Sequence, residues 1–207
     1  LYSMPGVPFE TEAALPDVMA DIQENFNLES ITHRTLMTFG LAESALSKRI
    51  ETWETELPPH IHLAYLPNPL TGVRLRLSIY GGKEVENEAE LDRQIAALRE
   101  ILGDIIYADY DSNLQTEIGK MLLTQGKTVS AAESCTGGKI SELMTAVPGC
   151  SAYYLGSVTS YAIPIKEKVL GVPSETIETH GVVSSEVAAA MAEGVRLLTG
   201  SDYAVAT

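Results

Sequence analysis

The segment around Ser134 combines a hydroxyl group that could act as a nucleophile with backbone N–H groups that could bind an anion. Ser134 follows an apolar, β-prone run, residues 128–132, and precedes a stretch, residues 139–146, whose apolar positions have helical spacing. We therefore predict a strand-to-helix turn, with small residues whose amides lie at a helix N-terminus, where negative charge binds. These small residues are Thr136, Gly137 and Gly138. The pattern is also compatible with a capped turn of purely structural role.

A serine hydroxyl is a weak nucleophile until a base takes its proton, and a lysine offers such a base. Tyr161 and Lys166 lie where a predicted strand, residues 155–161, ends in a proline-containing turn, and ligand sites gather at the strand ends of α/β sheets. To act near neutral pH, Lys166 needs a pKa roughly 2–3 units below its ordinary value of about 10.4. Tyr161 could relay a proton or hold the lysine in line. The alternative is an exposed helix lysine beside a sheet-edge tyrosine.

Two other arrangements remain open at this point. Cys135 adjoins Ser134 and could be the nucleophile instead, although a single cysteine near a turn is more often a small buried residue. His180 could complete a Ser–His–Asp triad, but its loop could equally be structural, and nothing in the spacing supports the triad. Two cysteines and four scattered histidines predict neither a disulfide framework nor a metal site.

Composition and charge limit the classes of function that this sequence can have. The 207 residues carry a net charge of −14, of which residues 1–112 contribute −11 and residues 113–207 contribute −3. An acidic surface argues against a nucleic-acid partner, and the near-neutral second half is the better host for an anionic small molecule. No run approaches the roughly 18 apolar residues of a membrane span, and no charged-then-apolar leader opens the chain. We therefore expect a cytoplasmic protein without a membrane partner.

The first half predicts a small α+β domain over residues 30–110. An antiparallel sheet with helices on one side is expected, because residues 73–80 alternate between an apolar and a polar face. The predicted helices are residues 40–53 and 87–102, and the predicted strands are residues 61–66, 73–80 and 105–107. An RNA-binding KH module is one interpretation, but the domain lacks a Gly-x-x-Gly loop and is strongly acidic, so packing or dimerisation is favoured. Before it, residues 10–26 predict a helix that Pro16 should break or kink.

From residue 112 the pattern changes to the alternating helices and strands of a layered α/β domain. A helix over residues 114–125, capped by Gly126, should turn Leu114, Ile118, Met121 and Leu122 inward. A short helix is expected over residues 165–170. Ser184 should cap a long helix with one apolar face. That face consists of Val187, Met191, Val195 and Leu198. The last residues, 203–207, predict a strand.

Several of these segments together resemble the CinA family of bacterial competence/damage-inducible proteins. They are residues 131–138 (Ala-Ala-Glu-Ser-Cys-Thr-Gly-Gly), Tyr161, Lys166 and residues 180–184 (His-Gly-Val-Val-Ser), which match the family's C-terminal domain. Residues 4–8 resemble the close of its molybdopterin-binding-like first domain. The resemblance implies three parts: residues 1–29 as the tail of that first domain, residues 30–110 as a KH-like domain and residues 111–207 as the C-terminal domain, shortened at its end.

The family's C-terminal domain is a nicotinamide mononucleotide deamidase of pyridine nucleotide recycling. The resemblance implies that Ser134 attacks the carboxamide carbon, that Lys166 is its general base, and that Tyr161 assists. It places Glu133, Thr136, Gly137 and Gly138 in substrate binding or, for the last three, in oxyanion stabilisation. It implies no cofactor and no metal for deamidation, a nucleotide substrate and a homodimer. The alternative is a non-catalytic nucleotide-binding or assembly module, in which the glycine turn binds a phosphate.

Two departures from the family pattern bear on activity. The pyrophosphatase activity of some full-length relatives belongs to the first domain, of which only the tail is expected here, so that activity should be absent. The family continues after the last strand with a Thr-Gly-Ile-Ala-Gly-Pro-like loop that helps to line the nucleotide site, and the sequence stops at Thr207. We therefore expect deamidase chemistry that is encoded but incomplete in these 207 residues.

Overall fold

The computed structural model describes residues 1–26 and 28–207, so residue 27 of the predicted 1–29 segment lies outside the described residues. The chain divides into two compact units, Leu1–Tyr110 and Asp111–Thr207, and we describe each by itself. Within the described residues, none of the helices is both long enough and apolar enough to span a membrane.

The first unit is an antiparallel four-stranded sheet with helices packed on one face. Its strand order is β2-β3-β1-β4. Its elements are α1 (Pro8–Asn25), β1 (Ile31–Thr38), α2 (Glu43–Thr55), β2 (His62–Asn68), β3 (Gly72–Tyr80), α3 (Glu84–Leu102) and β4 (Ile106–Ala108). The predicted apolar face of β3 is buried and forms one core with α2 and α3. The predicted α+β architecture is therefore confirmed.

The structure differs from the sequence prediction at two points in the first unit. The strand β1, which pairs with both β3 and β4, was not predicted from the sequence. Leu36, Met37 and Thr38 are consecutive and all buried, so the end of this inner strand lacks the alternation of a half-exposed strand. Pro16 does not end the first helix, because α1 continues through it from Pro8 to Asn25.

The second unit is a layered α/β domain around a parallel three-stranded sheet. Its elements are α4 (Leu114–Gln125), β5 (Val129–Glu133), α5 (Lys139–Thr145), β6 (Tyr154–Thr159), α6 (Ile163–Leu170), α7 (Ser174–His180), α8 (Ser185–Thr199) and β7 (Tyr203–Ala206). The strand order is β6-β5-β7. Ala131 and Ala132 of β5 point to opposite faces, the first into a core with residues of α4 and α5, the second into a core with residues of α6 and α8. This confirms the predicted layered architecture.

The inward faces of two helices differ in part from the prediction. On α4 only Leu122 of the predicted apolar set is buried, whereas Ile118 and Met121 are exposed. The helix instead turns Gly119 inward, where a Cβ atom would collide with the ring of Tyr153. On α8, Val187, Met191 and Val195 are buried as predicted but Leu198 is exposed. Apolar spacing alone therefore misplaced most of the inward face of α4 and only the last residue of that of α8.

Candidate functional site

The carboxyl ends of β5 and β6 place the predicted site residues at one edge of the sheet. The two strands are parallel neighbours, and Glu133 is in register with Thr159. The residues that follow them, Ser134 and Ser160, therefore leave the sheet side by side, and the Ser160 N–H donates to the Glu133 carbonyl oxygen at 2.8 Å. On the other side, the Ser134 N–H donates to the carbonyl oxygen of Thr207 at 2.8 Å. Ser134 is thus fixed by the end of the sheet.

A tight turn carries the chain from Ser134 into α5. Gly137 and Gly138 have φ angles of +60° and +105°, in the left-handed region that favours glycine. The Gly137 N–H donates back to the carbonyl oxygen of Ser134 at 3.1 Å. The two glycines are therefore required for the backbone to reverse within four residues of Ser134.

Glu133 is fully buried, and its carboxylate accepts hydrogen bonds from the first turn of α5. One oxygen accepts from the Thr136 hydroxyl at 2.8 Å and from the N–H groups of Gly138 at 3.0 Å and Ile140 at 2.9 Å. The other accepts from the Ser141 N–H at 2.9 Å. Burial alone would raise the pKa of this carboxyl, but the hydrogen bonds from Ile140, Ser141, Thr136 and Gly138 outweigh it and lower the pKa. An ionised carboxylate thus occupies the helix N-terminus.

This carboxylate changes the predicted substrate contacts. Glu133 is 0% exposed and already saturated with donors, so it has no direct access to a ligand. The N–H groups of Gly137 and Gly138 donate to Ser134 and Glu133, so neither is free for an anion. Among the described residues, only the N–H groups of Cys135 and Thr136 in this turn have no protein acceptor. The Cys135 amide was missed by sequence reasoning, although the residue after a nucleophile at a strand-to-helix turn commonly donates to an oxyanion.

Lys166 in α6 is the other buried charged residue of the site, with only 1% of its surface exposed. Its amine donates to the carbonyl oxygen of Ser160 at 2.7 Å and to the sulfur of Met191 at 3.4 Å. Burial without a carboxylate partner lowers the pKa of Lys166, and the nearby Cys135 thiol opposes that shift only in part. Ser160 and Met191, which sequence reasoning did not assign to the site, therefore hold the amine.

Ser134 and Lys166 line one cavity of about 420 Å³. The remaining lining residues come from the turn, from α8 and the loop before it, and from the end of the last strand: Cys135, Val182, Val183, Ser184, Ser185, Val187, Ala188, Met191 and Thr207. Within the part of the chain that the structure describes, no direct hydrogen bond joins the Ser134 hydroxyl to the Lys166 amine. The structure therefore brings the predicted nucleophile and base to the same cavity, with the Cys135 thiol exposed beside them.

Two other candidates are not placed in this cavity. Tyr161 is 77% exposed and is not among the lining residues. As it stands, its hydroxyl holds neither the lysine nor the serine. His180 ends α7, a helix that the sequence analysis had taken for a loop, and its ring lies 3.8 Å from the exposed carboxylate of Glu186. A triad of Ser134 with His180 does not fit this arrangement.

The chain is similar to known proteins over nearly its whole length. The family model described as "CinA C-terminal domain" matches residues 111–207, and the one described as "Damage-inducible protein CinA KH domain" matches residues 33–108. A "CinA-like protein" of Flavobacterium psychrophilum is 42% identical over 207 residues, covering 99% of this chain and 49% of the relative. A "CinA-like protein" of Salinibacter ruber is 41% identical over 205 residues, again covering 99% of this chain and 49% of the relative. The chain thus spans about half the length of the curated relatives it matches.

Solved structures include similar chains. The crystal structure of competence damage-inducible protein A (ComA) from Klebsiella pneumoniae is 33% identical, with a TM-score of 0.44, and the match covers 44% of this chain and 57% of that one. The two family models together account for most of both compact units. The chain therefore belongs to the CinA family, with a CinA KH domain followed by a CinA C-terminal domain.

Proposed function

We propose that the protein to which this chain belongs is an amidohydrolase that converts nicotinamide mononucleotide to nicotinic acid mononucleotide and ammonia. In this proposal Ser134 is the nucleophile and Lys166 is the general base. No cofactor and no metal ion takes part. Family membership makes the activity an expectation, and the chemistry of the cavity supports it.

The observation that carries the proposal is the state of Lys166. A buried amine with only a carbonyl oxygen and a thioether sulfur as partners is poorly stabilised as an ammonium ion. Its lowered pKa favours the neutral amine, which is the form that can take a proton. A serine hydroxyl at a strand-to-helix turn lines the same cavity. A buried lysine of purely structural role would be expected to have a carboxylate partner.

The acylation step then follows from the residues that line the cavity. The Lys166 amine takes the proton of the Ser134 hydroxyl as its oxygen bonds to the carboxamide carbon. The N–H groups of Cys135 and Thr136 are the donors available for the negative oxygen that forms. The Lys166 ammonium next gives its proton to the departing nitrogen. Ammonia is released, and the acyl group remains bound to Ser134 as an ester.

Hydrolysis of this ester repeats the same proton transfers with water as the nucleophile. Lys166 takes a proton from water as the water oxygen bonds to the ester carbon. It then returns that proton to the Ser134 oxygen, and the nucleotide product leaves as a carboxylic acid, which ionises at neutral pH. Tyr161 assists in this proposal only if its exposed side chain turns toward the cavity when a ligand binds.

The alternative of a non-catalytic nucleotide-binding module fits less well. It requires the glycine turn to bind a phosphate, but the Glu133 carboxylate already occupies that helix N-terminus. A second negative charge there would meet repulsion. The first turn of α8, with Ser184 and Ser185 beside the cavity, is the better place for the phosphate of a nucleotide.

The test measures ammonia release from nicotinamide mononucleotide by the full-length protein. We expect Ser134→Ala to lower kcat by about 10³-fold or more, because the covalent route is lost. Ser151→Ala, which removes an exposed hydroxyl of the same unit, is the matched control and should leave the rate unchanged. Equal turnover by wild type and Ser134→Ala would refute the proposal, and so would tight nucleotide binding by the wild type without any ammonia release.

A further inference from the structure

We propose that Met191 positions Lys166 as a base, by accepting one of its N–H groups on an uncharged sulfur atom. The inference rests on the proposed deamidase function, because it concerns how the base of that reaction is held. Met191 is a positioning residue in this scheme, since it acts through Lys166.

The number of acceptors around the lysine matches a neutral amine. An ammonium ion has three N–H groups to satisfy, whereas the neutral amine has two and a lone pair. Two acceptors contact the Lys166 amine, the carbonyl oxygen of Ser160 at 2.7 Å and the sulfur of Met191 at 3.4 Å. Lys166 and Met191 are 1% and 2% exposed, and both side chains line the cavity that contains Ser134. The two acceptors leave the lone pair as the open position of the nitrogen.

The charged groups of neighbouring elements do not serve as acceptors for the Lys166 amine in place of the Met191 sulfur. In the turn after β5, the Cys135 thiol raises the pKa of Lys166, but by less than burial lowers it. On α8, which packs against α6, Glu186 and Glu193 are exposed, Arg196 is partly exposed, and all three have other partners. Glu193 pairs with Arg196 at 2.8 Å, and Glu186 accepts from the Ser185 hydroxyl at 3.0 Å. His180 of α7 lies beside Glu186. A carboxylate in place of the sulfur would stabilise the ammonium ion and remove the base.

A close helix contact holds the sulfur against the amine. Gly194 lies one turn after Met191 on α8, and Leu170 lies one turn after Lys166 on α6. A Cβ atom at position 194 would collide with the carbonyl oxygen of Leu170, so only glycine permits this approach. The two helices are therefore locked together one turn beyond the contact between Met191 and Lys166. A weak sulfur acceptor can hold the amine there because packing fixes both partners.

The experiment compares Met191→Leu and Met191→Glu with wild type in the full-length protein, with Met144→Leu as the control for a buried methionine of α5. Acetylation of Lys166 by acetic anhydride is followed by mass spectrometry across a range of pH, with exposed Lys168 of the same helix as internal reference. Ammonia release gives kcat and KM for the same proteins.

We expect Met191→Glu to move the labelling profile of Lys166 upward by about 1–3 pH units, because a carboxylate favours the ammonium ion. Met191→Leu should leave the profile no higher than in wild type but lower kcat about 10- to 100-fold at nearly constant KM, since the amine loses its orientation. The inference is overturned if Met191→Leu behaves like Met144→Leu in kcat, or if Met191→Glu does not move the profile.

Failure of the proposed function itself gives a different result. In that case wild type releases no ammonia, and the labelling profiles alone decide the role of Met191. An upward shift in Met191→Glu, absent in Met144→Leu, upholds the contact between sulfur and amine. An unchanged profile rejects it.

Discussion

The last residue of β5 and the first turn of α6 each carry one buried ionisable side chain at the same edge of the sheet, but the two side chains have opposite surroundings. Glu133 receives four hydrogen bonds from N–H and O–H donors and is held as a carboxylate. Lys166 receives two uncharged acceptors and no counter-charge, so burial favours its neutral form. A buried charge whose partners are complete stabilises a turn, whereas a buried base without a counter-charge remains able to take a proton.

The largest effect should come from removing the base. Lys166→Met keeps the length of the side chain but cannot accept a proton, so we expect the deamidation rate of the full-length protein to fall by about 10²- to 10⁴-fold. Lys168→Met, on the exposed face of the same helix, is the control. The wild-type rate should rise with pH through the lowered pKa of Lys166 and level off below the ordinary lysine value of 10.5. If the Lys166→Met protein remained active, Lys166 would not be the base, and its contrast with Glu133 would have no chemical meaning.

Gly194→Ala tests whether helix packing maintains the lysine site. The added methyl group meets the Leu170 carbonyl oxygen, so α6 and α8 must separate, which should cost about 1–3 kcal/mol of unfolding free energy and lower kcat as well. Gly6→Ala, where an added Cβ atom meets nothing within 4 Å, is the control for the substitution itself. Thermal unfolding and ammonia release are measured together. If the Gly194→Ala protein were destabilised but kept the wild-type kcat, the packing of α6 on α8 would not be what positions the Lys166 amine.

Glu133→Gln tests the structural side of the comparison. An amide must turn its NH₂ group toward a backbone N–H of α5, so we expect a loss of about 2 kcal/mol in unfolding free energy at pH 7. Because the folded-state pKa of Glu133 is lowered, its contribution is complete above about pH 4.5 and is lost as pH falls through the folded value. The difference from wild type should therefore shrink in acid. Glu142→Gln, exposed on the same helix and paired with Lys139, is the control and should cost little.

The smallest effect is expected at Cys135. Its backbone N–H is the group that the proposed mechanism uses, and Cys135→Ala keeps that N–H while removing an exposed thiol. The deamidation rate should stay within about threefold of wild type, the scale of an ordinary surface substitution. Loss of activity as large as that of Ser134→Ala would make the thiol the nucleophile and would reassign the role of the neighbouring lysine.

The sequence by itself determined the local features of the site. Alternation of apolar runs predicted the layered α/β unit, and the strand-to-helix turn at Ser134 followed from a β-prone run, two glycines and helical spacing. The helix of Lys166 was predicted to begin within two residues of its observed start, Ile163. Such features depend on neighbours within one turn of a helix or one strand, and residue types report these directly.

Only the tertiary structure decided which of these residues are buried and what they contact. The amine of Lys166 contacts a sulfur 25 positions away, and the Ser134 N–H donates to the carbonyl oxygen of Thr207 at the end of the adjacent strand. Glu133 was predicted to bind substrate, but packing of α5 on the end of β5 turns its carboxylate into a helix cap. The strand β1 was missed for the same reason, because the burial of its last residues, Leu36, Met37 and Thr38, is set by neighbours distant in sequence. Burial and hydrogen-bond partners arise from long-range packing, which the spacing of residue types does not encode.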